Sequence, residues 1–306
     1  MKVRDKSSKA HLRAKVFLPS SPAERKRLEA GLSLIRKEAP WLSVSLELPK
    51  TSGLLPYLSA PDDEQARRFT DLLGQQIDII WAARGGYGTL RWVNMIRTDD
   101  LEQQNSPPLL IGFSDVTILH LLYLKLGWLS LHAPLVTTLP DTSTDYRQAL
   151  WSFLLEKRLP KLEGIPLVEG QATGRLVGGN LACVMSCMGT SFEPELEGNI
   201  LVLEDLNEPL YKIDRMLTQL LLSGRLSGVA GICIGQFKDH GVKEEEFHRL
   251  LKDRLSHLGI PVVYDLPFGH TEKNAPLLLG AMYRISFSQL FCDEGYIKKT
   301  FKDPED

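Results

Sequence analysis

Short apolar runs alternate with helix-spaced stretches along nearly the whole chain, and this alternation constrains the fold more than any other feature. Ala14 to Leu18, Leu42 to Leu48, Ile77 to Ala82, Leu109 to Ile111 and Trp128 to Leu131 read as strands. Ser21-Pro-Ala-Glu24 reads as a capping box with proline at the first helical position, opening a helix through Leu28, Leu32 and Ile35. Asp62-Asp-Glu64 opens another, running to about Leu73, whose acidic first turn suits the helix dipole. A helix from about Tyr146 to Glu156 and a stretch with two prolines up to Gln171 form a crossover. Beyond it come strands at Arg175 to Val177, Asn199 to Leu203, Val229 to Phe237 and Pro261 to Tyr264. Helices follow Asn180 and span Tyr211 to Leu222 and Glu244 to Leu258; Leu277 to Phe287 reads as paired strands, and Lys298 onward as a solvated tail. Strands that alternate with helices form mostly parallel sheets covered on both faces. The expected fold is therefore α/β in two domains, residues 1–143 and 175–306, joined by a crossover over 144–174, with ligands collecting at the carboxyl ends of strands.

Composition narrows the function. A formal charge of −2 and the lack of a dense Lys/Arg stripe give no electrostatic basis for binding nucleic acid. No apolar run approaches the roughly 18 residues of a membrane span. The polar start Met1 to Lys6, with no apolar segment after it, argues against a secretory signal. Cys183 and Cys187 lie one helical turn apart in an apolar segment, a spacing that suits buried thiols. With no CxxC, HExxH or GxxxxGK[ST] pattern, no metal, nucleoside triphosphate or other cofactor is expected.

The stretch Leu109 to Thr117 carries the sharpest chemical signal. A buried strand ends at Gly112, a residue that permits a sharp turn, and helical spacing follows Ser114 at Ile118, Leu119, Leu121 and Leu122. Strand, turn and helix would lift the Ser114 hydroxyl over a helix N-terminus whose free N–H groups can hold an anion, as in a nucleophile elbow. Serine in that position is also a common N-cap, and Asp115 can equally cap the helix. The loop Arg84-Gly-Gly-Tyr-Gly88 is a tight turn between strand and helix; glycine there lets the main chain approach a substrate and offer an N–H to an oxyanion. A serine nucleophile needs a base and an acceptor to orient that base. His270 follows the Tyr264 strand, with His132 and His240 as rivals; Glu204 ends its strand, with Asp205 and Glu208 as rival acids. The remaining histidines read as solvated (His248, His257), as preceding the first strand (His11) or as packing (His120).

Seven stretches in register resemble the LD-carboxypeptidase family of serine peptidases, which includes murein tetrapeptide carboxypeptidases and the microcin C immunity peptidase. They are Ala83-Arg-Gly-Gly-Tyr-Gly88, Gly112-Phe-Ser-Asp-Val-Thr117, His132-Ala-Pro134, Gly178-Gly-Asn-Leu181, Ile200-Leu-Val-Leu-Glu-Asp205, Tyr211-Lys-Ile-Asp-Arg215 and Pro267-Phe-Gly-His270. The resemblance covers about Lys15 to Phe287. It implies a triad of Ser114 as nucleophile, His270 as base and Glu204 as its orienting acid, with backbone N–H groups of Gly86 (or Gly85) and Asp115 as oxyanion donors. It also implies a site between two domains, a homodimer and a cytoplasmic location. Ala133 departs from the family's usual glycine, and the compact segment between Ser114 and Glu204 leaves the cleft's preference open.

The reaction this implies is hydrolysis of the bond between an L-configured centre and a C-terminal D-amino acid, such as D-Ala on a murein tetrapeptide. An exopeptidase must also hold the terminal carboxylate, a task that suits the planar fork of Arg84 or Arg215. Alternatives within the same chemistry are an immunity-type peptidase acting on a peptidyl-nucleotide and an α/β-hydrolase esterase. The esterase lacks support from Gly112-x-Ser114-x-Val116, which has no second elbow glycine. A catalytically silent muropeptide-binding protein is the alternative from another class.

Overall fold

In the computed structural model, residues 11–98, 101 and 107–301 are described. The polar start at residues 1–6 and the tail beyond 301 lie outside them. The chain begins β1 (Leu12–Phe17), α1 (Arg25–Glu38), β2 (Leu42–Glu47), α2 (Asp62–Gly74), β3 (Ile79–Ala82) and α3 (Thr89–Trp92). β4 (Leu109–Gly112), α4 (Thr117–Lys125) and β5 (Ser130–His132) follow. The 144–174 stretch holds α5 (Thr144–Glu156), β6 (Leu162–Glu163), β7 (Ile165–Val168) and the start of β8 (Gln171–Asn180). Then come α6 (Leu181–Cys187), β9 (Ile200–Leu206), α7 (Leu210–Leu222), β10 (Gly231–Lys238), α8 (Glu244–Leu255) and β11 (Val262–Tyr264). The chain closes with β12 (Leu277–Leu279), β13 (Met282–Ser286), β14 (Gln289–Cys292) and α9 (Glu294–Thr300).

Two sheets result among the described residues. The first has the order β12-β5-β4-β3-β1-β2, and every pair in it is parallel except β12 with β5. The second has the order β6-β14-β13-β8-β9-β10-β11-β7. Its centre, β8 to β11, is parallel, while β7, β13, β14 and β6 add antiparallel pairs at its two sides. The α/β class expected from the sequence stands. The antiparallel flanks come from short strands joined without a helix, which cannot make the crossover that parallel pairing requires.

Several local expectations shift for identifiable reasons. The helix read from the Ser21 capping box starts three residues later, with no side-chain cap at Glu24. Ser21 is occupied elsewhere: its N–H donates to Gly85 O at 3.2 Å and its Oγ accepts from Tyr87 N–H at 3.2 Å. The paired strands expected over 277–287 divide between sheets. β12 leaves to pair with β5, Leu277 opposite His132, whereas β13 stays with β8. The solvated tail begins inside α9, which Asp293 caps through Tyr296 N–H.

The first sheet's central strands are apolar on both faces, as parallel strands covered by helices must be. Ile79 to Ala82 and Leu109 to Ile111 are all buried. On one side α1 packs closely enough that a Cβ on Gly31 would lie 1.9 Å from Val136 O. Because that contact is with backbone just past β5, it cannot yield by a side-chain rotation. Gly31→Ala is expected to destabilise the fold by about 1–3 kcal/mol through overpacking, read as a lower urea midpoint at unchanged m-value.

Candidate active site

Ser114 sits where β4 turns into α4, and its backbone carries the strain. Its φ is 67°, a left-handed conformation that costs energy in a residue with a Cβ. The left-handed turn therefore falls on Ser114, and Gly112 serves a different end from the one its sequence position suggested. A Cβ on Gly112 would lie 3.0 Å from both Ala82 Cβ and Val116 Cγ1, so glycine lets the turn pack against β3. Ser114 is not the N-cap of α4: a single 3-10 turn, Ser114–Val116, precedes that helix, and no side chain caps it.

The glycine loop after β3 lies directly against the serine. A Cβ on Gly85 would sit 2.9 Å from both Cβ and Oγ of Ser114. Gly86 has φ 110°, and a side chain there would strike Ser21 Oγ at 2.3 Å. Among the described residues neither Gly86 N–H nor Asp115 N–H donates to a protein acceptor, which leaves both for an oxyanion beside Ser114. The Asp115 side chain has other work. Its Oδ2 accepts from Thr89 N–H at 3.0 Å and Thr89 Oγ1 at 2.6 Å, capping α3 and tying the glycine loop to the elbow. Burial raises the Asp115 pKa, and the Thr89 and Ser20 hydroxyls oppose that rise.

Glu204 and His270, the candidate acid and base, come from a strand of the second sheet and from the loop after β11. Glu204, on β9, has no exposed surface, and its Oε2 lies 2.6 Å from His270 Nδ1. Gly269 makes this possible: at φ 119° it brings the His270 backbone so close that a Cβ would be 3.0 Å from Glu204 Cβ. Burial alone would raise the Glu204 pKa, but the charge of His270, then the neighbouring His132 and the hydrogen bond of His270, reverse this and hold it at about 2. Burial works against the His270 imidazolium, yet Glu204, with Asp205 behind it, outweighs burial and raises the His270 pKa. With Nδ1 held by Glu204, Nε2 is the nitrogen left to serve a nucleophile. The His270 ring packs on Phe113, next to Ser114, at 4.5 Å between centroids.

Ser114 and His270 line one cavity of about 740 Å³, together with Arg84, Gly85, Gly86 and Asp115. No hydrogen bond joins Ser114 to His270 among the described residues; such contacts are often long in ligand-free sites and tighten when substrate binds. Asp205 and Glu208 line the same cavity but are engaged with other partners. Asp205 binds Asn180 Nδ2 at 2.7 Å and the N–H of Ala182 at 2.9 Å, so it builds the start of α6 while burial and then Glu204 raise its pKa to about 6. Glu208 reaches the cavity rim and pairs with Lys212 at 3.5 Å. His240 stacks on Phe247 beside a different hollow. His120 gives both ring nitrogens to Ser130 Oγ and Gly112 O, and burial lowers its pKa to about 3. Arg215 stacks over Tyr211 on α7 and does not line the cavity.

Sequence reasoning passed over Arg27, Asn180 and Cys183, which also line the cavity. Asn180 was legible as the residue after Gly178-Gly179, where it caps α6 by accepting from Cys183 N–H. Arg27 is brought in by the packing of α1, which no local pattern announces. Cys183 is no rival nucleophile, because burial, then the charges of Asp115 and Asp205, push its thiol pKa well up.

Residues 15–133 match the LD-carboxypeptidase N-terminal domain and residues 173–285 the LD-carboxypeptidase C-terminal domain. A relative in Synechocystis sp. that bears the name carboxypeptidase is 37% identical over 290 residues, covering 86% of this chain and 92% of its own. The murein tetrapeptide carboxypeptidase of Pseudomonas aeruginosa is 33% identical over 216 residues, 65% of this chain and 69% of its own. The crystal structure of muramoyltetrapeptide carboxypeptidase from Oxalobacter formigenes superposes with a TM-score of 0.80 at 25% identity, covering 91% of this chain and 97% of that one.

The contact between Gly85 and Ser114 sets up a direct test. Gly85→Ala adds one methyl 2.9 Å from the Ser114 hydroxyl. It should lower turnover by about 10²-fold, the usual effect of misplacing a reacting group by an ångström. Its thermal midpoint should fall only modestly, since the clash is with the Ser114 side chain and not with backbone; differential scanning calorimetry and steady-state kinetics read the two quantities.

Proposed function

Because this chain belongs to the LD-carboxypeptidase family, we propose that it is a serine peptidase that removes a C-terminal D-amino acid from an L,D-peptide bond. Release of D-Ala from a murein tetrapeptide, in cell-wall recycling, is the reaction it fits best. The observation that carries the reading is the Glu204–His270 pair at 2.6 Å, opening on the cavity that holds a left-handed Ser114. Relatives named for murein tetrapeptides support the substrate class.

In this mechanism Glu204 fixes His270 with its proton on Nδ1, so that Nε2 accepts the Ser114 proton as Oγ attacks the scissile carbonyl. The carbonyl oxygen becomes an anion held by Gly86 and Asp115 N–H, whose positions are set before substrate arrives. His270 then protonates the leaving amine of the D-amino acid, and water, deprotonated by the same histidine, releases the acyl group. Arg84, with Arg27 beside it on the cavity wall, supplies positive charge for the departing residue's carboxylate. Arg215, stacked on α7, has no part in it. An α/β-hydrolase esterase is less well supported, since here acid and base come from a different sheet than the serine.

Free Cys183, Cys187, Cys233 and Cys292 support a reducing, cytoplasmic setting. Among the described residues no helix is long and apolar enough to cross a membrane. The homodimer that the family resemblance implies is read by sedimentation velocity.

Mass spectrometry of L-Ala-γ-D-Glu-meso-diaminopimelate-D-Ala after incubation should show loss of one alanine with wild type and none with Ser114→Ala. Cleavage surviving in Ser114→Ala would sink the serine mechanism. The pH dependence follows from the raised His270 pKa. The base works only when unprotonated, so kcat/KM should be full at high pH and fall as pH drops through a midpoint above the ordinary imidazole value of about 6.5. Glu204→Gln removes the charge that raises this midpoint. It should move the midpoint down and cut kcat by about 10⁴-fold, the effect known for losing the acid of a triad.

A further inference from the structure

The Glu204–His270 hydrogen bond uses one oxygen of the carboxylate. Glu204 Oε1 is equally buried and has no hydrogen-bond partner among the described residues. The same holds for both ring nitrogens of His132, a side chain with no exposed surface. These orphan groups are neighbours: His132 Nε2 lies 4.0 Å from Glu204 Oε1. An unsatisfied buried polar atom costs about 1–3 kcal/mol, and a side-chain adjustment of about 1 Å brings this pair to hydrogen-bond length.

The surroundings leave His132 few other choices. Its ring is bounded by Phe113 at 5.5 Å and Phe268 at 5.8 Å between centroids, neither of which accepts a strong hydrogen bond. His120 stands 6.5 Å away, but its nitrogens are already committed to Ser130 and Gly112. Asp205, the neighbouring carboxylate, is occupied by Asn180, Ala182 and Leu206. His132 ends β5 in the first sheet, and β12, which follows His270 in the chain, pairs with it at Leu277.

We propose that His132 is a positioning residue whose Nε2–H holds Glu204 Oε1, so that the acid is gripped from both sheets and points its other oxygen at His270. This rests on the triad reading above. The serine-bearing domain thereby contributes to the orientation of an acid on the other domain. His132 touches no substrate and acts through Glu204.

The test is a double-mutant cycle with a spectroscopic check. His132→Phe keeps the ring's bulk and removes the donor; it should lower kcat at least about tenfold with KM changed less than about twofold. In a Glu204→Gln background the same substitution should change kcat by less than about threefold, because its route of action is already cut. Losses that multiply in full, or a folded His132→Phe enzyme at wild-type kcat, would overturn the proposal. His132→Gln, whose amide can still donate, should recover part of the loss. Imidazole ¹⁵N NMR on the resting protein decides the matter without turnover and without a His132 variant. His132 should carry a proton on Nε2, and that signal should shift in Glu204→Gln. A proton found on Nδ1 alone, or a signal indifferent to Glu204→Gln, would overturn the assignment even if the tetrapeptide is cleaved as expected. A correct NMR signature with no tetrapeptide cleavage would instead point to a different substrate and leave the hydrogen bond standing.

Discussion

A carboxylate with no exposed surface is the constraint around which this molecule is arranged. Glu204 lies on a central parallel strand, where desolvation penalises its charge, and it stays ionised only through what surrounds it. His270 supplies the counter-group at hydrogen-bond length, and Gly269 supplies the close backbone approach that brings it there. The coupling works in both directions. The buried acid raises the histidine's affinity for a proton, and the histidine keeps the acid charged. A residue expensive to bury thus becomes the element that orients the base.

The first sheet answers this with a second device, backbone strain. Ser114 adopts a left-handed conformation because β4, packed tightly through Gly112, turns abruptly into α4. That strain exposes a hydroxyl at the mouth of the cavity while leaving Asp115 N–H unpaired beside it. The Asp115 carboxylate, meanwhile, binds the glycine loop through Thr89, so that loop and the turn at Ser114 are fastened to each other. Each sheet contributes part of the candidate site, and each part is set by contacts that precede any substrate.

Much of this was legible in the chain. The elbow was readable because an apolar run, a turn and helical spacing follow one another between Leu109 and Leu122, and the resemblance placed Glu204 and His270 among several rivals. What lay beyond reach depended on contacts between distant segments. Ser21 looks like a helix cap by every local rule, yet it serves Gly85 and Tyr87, more than sixty residues away. Gly112 looks like the turn residue, but steric crowding from Ala82 and Val116, not φ, requires it. His132 stood in the sequence as a competing base; only burial and the placing of two sheets show that solvent does not reach it. Arg215 shares with Arg84 every chemical qualification for binding a carboxylate and differs only in where its helix faces.

The excursion of Leu277–Leu279 into the first sheet has a consequence for how the molecule is made. Until that strand is synthesised, β5 presents an open edge of unpaired N–H and C=O groups next to the catalytic elbow. Synthesis from the ribosome runs N-terminal first, so the half of the protein that carries the serine must wait for nearly the last segment before its sheet is closed. Strand pairs of such wide sequence separation form slowly, since a long loop must be closed before any contact rewards it. Ser114 is therefore the earlier part of the candidate site to be translated and among the last to be enclosed, and a chain cut short before residue 277 leaves it beside an adhesive edge.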